Sequence, residues 1–477
     1  MIGFITQRFP LFIFGYFALQ VLIRLATTHI AVLDESEQIM LTQYFDWGYN
    51  EQPPLYTWLQ MGVFKLTGIS IFGLSVLKNI LLFLTYFFIY KLGILVMNDK
   101  LKSALSALSL FLLPQMVWDA QVDQTHTVFL TTATSITVYL FFYIIKRNNS
   151  WIYFVLFGLS SGVGLLAKYN FILVLIALGG VALCIKEYRE RFFTRKLLFS
   201  IAVASIMVLP HFLWFITHLE IATHRTVERM SSGHTSSAMV NFLKGNGDLL
   251  LSFIAFLSPF WLFFVLAFRK YFHWQWNNET KAFLSYVGII FVFLFLMVSL
   301  SGSTHVKERW LQPYLVLVPL FLFLHVKALS DTKMVRLFVS ISLFAPLVVA
   351  LVVLIRPWLI DMRGKPTRAS YPFVQLAHEI QTTLPQYGNV LIYAEDKYIG
   401  GNLKLFMPKA TVITASLPNQ PYGLEDNIVV VWENEKPDAF SRKIAQKYQC
   451  DLQLYQNYFQ HSKELRYTLN YELCKLK

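Results

Sequence analysis

Charge is scarce in this chain: Lys, Arg, Asp and Glu together make up 14% of its 477 residues, against 56% hydrophobic residues. A soluble domain carries about 25% charged residues, so an ordinary soluble fold is excluded. Cysteine is nearly missing, at three in the whole chain, which excludes a secreted scaffold framed by disulfides. There is no low-complexity tract and no convincing internal period, which argues against linkers, solenoids and repeat arrays. A glycine-rich phosphate-binding loop is also absent, so nothing points to a cytoplasmic nucleotide as the energy source.

Long apolar runs are what the chain has instead. A membrane helix needs about 20 mostly apolar residues, and about eleven such stretches precede residue 357. They run from 9 to 29, 71 to 97, 103 to 118, 125 to 145, 151 to 167, 170 to 185, 197 to 217, 247 to 268, 282 to 300, 310 to 326 and 334 to 356. These are too long and continuous for the alternating segments of a strand barrel. The first has no small-residue cleavage site behind it and reads as a retained span. The expected fold class is therefore a polytopic α-helical membrane protein.

The net charge of +13 is dispersed in short clusters between spans, not gathered into the stripe a nucleic acid would need. With the amino terminus cytoplasmic, alternate loops carry Lys100 and Lys102, Lys146 and Arg147, then the basic run from Lys186 to Lys196. The opposite loops are poorer in Lys and Arg, so the positive-inside bias puts residues 30 to 70, residues 218 to 246 and the tail from Pro357 outside. The domain boundary is expected there: 1 to 356 in the membrane, 357 to 477 extracytoplasmic. In the tail the hydrophobic runs shrink to strand length, at Val390 to Ala394 and Ile428 to Trp432, and alternation appears from Arg466 to Lys475. Helix-like pieces lie at Pro372 to Leu384 and Ala439 to Tyr448, so a small mixed α/β domain is expected. Cys184 falls in a span, whereas Cys450 and Cys474 fall in the tail, in a compartment that permits a disulfide.

The polar residues cluster where the topology puts loops outside. Asp34 and Glu35 stand together after the first span, and Asp34 with Glu37 also fits a helix cap. Adjacent carboxylates suit proton removal from a hydroxyl, because burial and a like-charged neighbour raise one pKa towards working pH. Gln52-Pro53-Pro54 cannot continue a helix, and Tyr56 and Trp58 behind it suit the headgroup level, so Gln52, Tyr56 and Trp58 are candidates for a substrate groove. Asp119 and Asp123 bring two more acids, with His126 opening the next span. Lys168, Lys307 and Arg309 put cations outside against the general trend, and Arg225, Arg229 and Lys244 lie in the loop from 218 to 246. Such cations could snorkel to headgroups, or could hold a phosphate. No spacing specific to a metal is visible, although the acids could hold a divalent cation. Gly158 and Gly162 have the spacing of close helix packing.

In order, Asp34-Glu35, Gln52-Pro53-Pro54-Leu55-Tyr56, an acid before span four, Gly164 to Asn170 and Lys307 to Pro313 resemble the GT-C membrane glycosyltransferases. The branch is that of the protein O-mannosyltransferases and the lipid A aminoarabinose transferases, and the Gln-Pro-Pro-Leu-Tyr block is similar to that of lipopolysaccharide-core galacturonosyltransferases. The likeness reaches weakly into the tail through Gly400-Gly401-Asn402-Leu403. It implies transfer of a monosaccharide, with inversion, from a polyprenyl-phosphate carrier to a lipid or glycan acceptor at the outer face of a bacterial inner membrane, without a resident cofactor. Asp34, with Glu35 adjacent, and Asp123 then match the family's acids, and Lys168, Lys307, Arg309 and Arg225 are expected to hold the donor phosphate. The aminoarabinose transferases carry Lys where this chain has Gln52. The alternatives are a secondary transporter, which tends to show internal repeats and mid-membrane charges, and a ligase or polymerase moving whole oligosaccharides.

Overall fold

In lipid the backbone must satisfy its own hydrogen bonds, and the apolar runs accordingly fold as helices. The computed structural model describes the chain apart from residues 1, 224–227, 229–236, 328, 330–331, 363–369, 385–389, 415–416, 418–426, 434–447, 459–465 and 477. Among the described residues six helices are long and apolar enough to cross a membrane, and three bent pairs raise the number to nine. The first is α1 (Ile2–Thr27), followed by the short α2 (Leu33–Leu41), α3 (Leu55–Thr67) and the long α4 (Ile71–Met97).

Two of the expected eleven spans differ. Trp151–Ala167 is helical and apolar, but at 17 residues it is short. The run from 310 to 326 is two helices, Glu308–Leu315 and Val318–Leu324, with Pro313 inside one and Pro319 opening the other. Proline lacks the N–H that a continuous helix needs. Two further runs bend sharply, by 79° and 56°, and the run expected to end at 185 is followed by a short helix turned 118° from it.

The chain divides into two compact units. One comprises Met1–Ala18, Asn50–Tyr56 and Lys78–Val349, and the other Leu19–Tyr49, Thr57–Leu77 and Ala350–Lys477. Within the first, a methyl added to Gly158 would lie 2.5 Å from the Ser200 carbonyl oxygen. The helices Trp151–Ala167 and Leu197–Thr217 therefore approach closely, and Ser200 Oγ donates to the Phe154 carbonyl at 2.6 Å.

The second unit holds a five-stranded sheet of β1 (Val390–Ala394), β2 (Thr411–Thr414), β3 (Asn427–Trp432), β4 (Tyr448–Tyr458) and β5 (Arg466–Leu476), in the order β2-β1-β3-β5-β4. Strands β2, β1 and β3 are parallel, while β5 runs antiparallel to β3 and β4. Alternate side chains serve two apolar faces. Ile392, Val412, Val429 and Tyr471 join the larger core with the helix Phe373–Thr383, and Leu391, Ile413, Val430 and Cys474 pack on the other face. The expected strands at 390, 428 and 466 are present. Two more, β2 and β4, and the helix Lys397–Phe406 were not legible as such. Most of the helical piece expected from Ala439 to Tyr448 lies outside the described residues, and Tyr448 opens β4. Cys450 stands opposite Cys474 in the β4–β5 ladder, and Cys474 is disulfide-bonded.

Candidate active site

The first candidate acids lie at the start of α2. Glu35, not Asp34, satisfies the helix start: its Oε2 accepts from Val32 N at 3.1 Å and pairs with Arg24 at 2.7 Å, with the Glu35 side chain 1% exposed. Arg24 also donates to the carbonyls of Thr28 and Ile30, at 2.8 and 2.9 Å, and so fixes the link between α1 and α2. The helix begins two residues earlier than the Asp34–Glu37 pattern implied, with Val32 as its cap, and Glu37 pairs instead with Lys397 at 2.7 Å. Asp34 is half-buried in the first turn.

In the same unit Trp58 stacks on Phe45, with ring centroids 5.4 Å apart, and donates Nε1–H to the Asp46 carbonyl at 2.9 Å. Tyr49 OH donates to the Tyr44 carbonyl and accepts from Asp46 N, both at 3.1 Å. Burial pushes the Tyr49 phenol up from its ordinary value, so it stays a donor at neutral pH.

The other unit contains a cavity of about 250 Å³. Glu51, Gln52, Lys168, Tyr169 and Asn170 form its polar end, and Leu173, Leu249, Leu294, Met297, Val298 and Leu311 its apolar walls. Proline explains the mouth: after Gln52 the chain stays out of helix through Pro53 and Pro54, and α3 starts at Leu55. Lys168 caps the helix Trp151–Ala167 in an extended conformation and donates to Thr127 Oγ1 at 3.2 Å. Tyr169 OH lies 3.2 Å from His211 Nε2, and Tyr314 OH donates to the Asn170 carbonyl at 3.0 Å. Two buried side-chain oxygens on this wall, Gln52 Oε1 and Asn170 Oδ1, have no hydrogen-bond partner among the described residues. A buried amide oxygen in that state costs roughly 1–3 kcal/mol, which a ligand hydroxyl would recover.

The remaining sequence candidates separate. Arg309 faces Asp123 at 3.8 Å, both side chains about two-fifths exposed. Lys307 is exposed at the start of the helix Glu308–Leu315, and neither Lys307 nor Arg309 borders the cavity. Gly302, at φ 68°, takes the left-handed conformation that ends Asn278–Ser301 and turns the chain into this cationic stretch. There Asp248 accepts from Val306 N at 2.6 Å and meets His305 at 3.1 Å. Tyr56 is buried against His126 and Phe129, with ring centroids 5.2 and 6.2 Å away, and is a core residue instead of a groove residue. His126 opens its helix as expected, with Nδ1 3.3 Å from the Ala167 carbonyl oxygen. Arg225 and Arg229 lie outside the described residues, and Lys244 is exposed. Among the described residues no three His, Cys, Asp or Glu side chains gather as metal ligands.

Two buried charged residues escaped the sequence reading. Glu51, 8% exposed, is a buried carboxylate on the cavity wall, and its only signal is its place before Gln52-Pro53-Pro54. Lys78, 2% exposed inside α4, donates to the Gln121 carbonyl at 3.3 Å, and Asn79 Oδ1 accepts from Gln121 Nε2 at 3.1 Å. The polar pair Lys78-Asn79 within an apolar run was its signal, since an ionisable group at such a site is rarely idle.

Residues 51–214 match the family described as dolichyl-phosphate-mannose-protein mannosyltransferase. The lipopolysaccharide core galacturonosyltransferases RgtA and RgtB of Rhizobium johnstonii are 34% and 32% identical, each over 88% of this chain and 86% and 85% of their own lengths. The chain belongs to this GT-C glycosyltransferase family. The fold agrees: ArnT from Cupriavidus metallidurans, solved bound to undecaprenyl phosphate, superposes with a TM-score of 0.57 at 13% identity, covering 97% of both chains. The glycosyltransferase is thus a multi-pass membrane enzyme with a small C-terminal α/β sheet.

Proposed function

We propose that the cavity of Glu51, Gln52, Lys168 and Asn170 takes the phosphate–sugar junction of a polyprenyl-phosphate-linked monosaccharide, with the isoprenoid along its apolar wall. The two unpartnered buried oxygens, Gln52 Oε1 and Asn170 Oδ1, carry this reading. A polyol offers hydroxyl donors to both, whereas an alkyl chain offers none. Lys168 supplies the point charge for the departing phosphate, and Gln52 supplies a sugar contact where the aminoarabinose transferases have a cation.

In the reaction the acceptor oxygen attacks the anomeric carbon as the bond from that carbon to the phosphate oxygen breaks. The bonding pair leaves with the phosphate, the acceptor proton passes to a carboxylate, and the anomeric configuration inverts. Asp34, half-buried in the first turn of α2, is assigned as that carboxylate from its match to the family's first acid, while Glu35 holds the helix start through Arg24 and Val32. Asp123, Arg309 and Lys307 are assigned to the sugar or acceptor side, and no step runs through a metal ion. The acceptor is a lipid or glycan of the lipopolysaccharide-core kind, on the outer face of the bacterial inner membrane, with the amino terminus cytoplasmic and the sheet domain periplasmic.

Mass spectrometry of membrane glycolipids from cells with and without the protein tests this. The expected difference is one monosaccharide on one glycolipid, a hexuronic acid if the sugar follows that of the relatives. An unchanged glycolipid profile, or loss of a multi-sugar block, overturns it.

A further inference from the structure

We infer that Gly401 and Asn402, in the C-terminal domain, are positioning residues for Asp34, so that this domain completes the acid-bearing helix of the enzyme. The inference rests on the assignment of Asp34 above. It begins with Asn402, which is fully buried in the helix Lys397–Phe406 yet spends its amide chiefly outside it. Its Oδ1 accepts from Ala31 N at 2.9 Å. Its Nδ2 donates to the Ala31 carbonyl at 3.1 Å and to Ser36 Oγ at 3.2 Å, besides the Tyr398 carbonyl at 3.0 Å within its own helix. Ser36 Oγ in turn donates to the Ala31 carbonyl at 3.1 Å. One asparagine thus grips the chain on both sides of Asp34.

Gly401 makes that grip sterically possible. A methyl there would lie 2.3 Å from the Ser36 carbonyl oxygen and 2.6 Å from its Cα, and both are backbone atoms that yield only if α2 moves. The ion pair of Lys397 with Glu37 holds the next residue along. With Glu35 held by Arg24, the residues at 31, 35, 36 and 37 are each tied to a group outside α2. Docking for stability alone could be done by apolar packing. A buried polar network that is fully satisfied fixes a register as well, and here the register sets where the first turn of α2 presents its carboxylate. Displacing a reacting group by about 1 Å costs about 10²-fold in rate.

The test uses the full chain in detergent or nanodiscs, a short-chain polyprenyl-phosphate galacturonate as donor and purified lipopolysaccharide core as acceptor. Gly401→Ala, Asn402→Leu and Asp34→Asn are measured singly and in pairs. Each positioning variant is expected to lower kcat by about 10²-fold, with the donor KM unchanged. On the Asp34→Asn background neither should lower the residual rate further, because the group they place is gone. A loss that multiplies on that background, or a raised donor KM, overturns the inference in favour of a merely structural role. Turnover of Asp34→Asn at the wild-type rate sinks the Asp34 assignment itself, a separate outcome. Should both variants fail to fold, Lys397→Met removes only the Glu37 pair. It is expected to lower kcat by about three- to tenfold with unchanged donor KM, the smaller loss reflecting a displacement under 1 Å, and an unchanged kcat overturns the inference.

Discussion

At the scale of single residues, the polar end of the cavity sets out what binding requires. Lys168 is the cation on that wall, and its ammonium is already oriented by Thr127 Oγ1 at 3.2 Å. Lys168→Ala is therefore expected to lower kcat/KM for the lipid-phosphate donor by about 10²-fold, the cost of removing one preorganised donor from a developing charge. Lys168→Arg should restore part of that loss, and steady-state kinetics over a range of donor concentrations decides it. Asn170→Ala and Gln52→Ala remove the proposed sugar contacts, each expected to cost about 1–3 kcal/mol with the same donor, which corresponds to roughly 5- to 150-fold in kcat/KM. Lys168 and Gln52 were legible in the sequence because each breaks a rule: a cation against the topology, and a polar residue fixed by two prolines. Glu51 was not legible, since a single carboxylate in a loop has no spacing to announce it. Arg309 and Lys307 matched a pattern, but pattern gives no depth, and neither side chain reaches the cavity wall.

At the scale of elements, the loop bearing Asp119 and Asp123 owes its shape to α4. Lys78 and Asn79 hold the two ends of Gln121, backbone and side chain. Asp123 N and Gln124 N both donate to the Asp119 carbonyl, at 3.0 and 3.1 Å, which closes the turn. Lys78→Met keeps the volume of the side chain and deletes the charge. It is expected to destabilise the loop by at most about 1–3 kcal/mol, since the half-buried Gln121 carbonyl loses its lysine donor. Faster amide exchange at residues 119–124, with the rest of α4 unchanged, is the measurement, and equal protection in both proteins would refute the account. Helices of this length were legible from hydropathy alone, because lipid permits little else. Two of the bends carry a mark that the expected spans 103 to 118 and 247 to 268 ran through, a proline at 114 and at 259, whereas the span expected to end at 185 stops where the chain turns.

For the whole molecule, we propose one membrane orientation on two independent grounds. The loops assigned to the cytoplasm carry the basic run from Lys186 to Lys196, while the loop from Asp119 to Gln124 has no Lys or Arg, which favours an amino terminus inside and the sheet domain outside. The cysteines are the second ground. Cys474 is disulfide-bonded in the β4–β5 ladder whereas Cys184, on an apolar helix, is free, and disulfides persist in the periplasm but not in the cytosol. Whether Cys474 is bonded was open in the sequence, because spacing alone does not set a strand register, and β4 did not stand out by alternation. A reporter fused after Lys477 that works only in the periplasm is expected to be active, with alkaline phosphatase activity and no green fluorescent protein signal as the readout. Thiol labelling should also reach Cys474 only after reduction. Cytoplasmic fluorescence, or labelling of Cys474 without reduction, would reverse the proposed topology and with it the side of the membrane on which Asp34 is proposed to meet its acceptor.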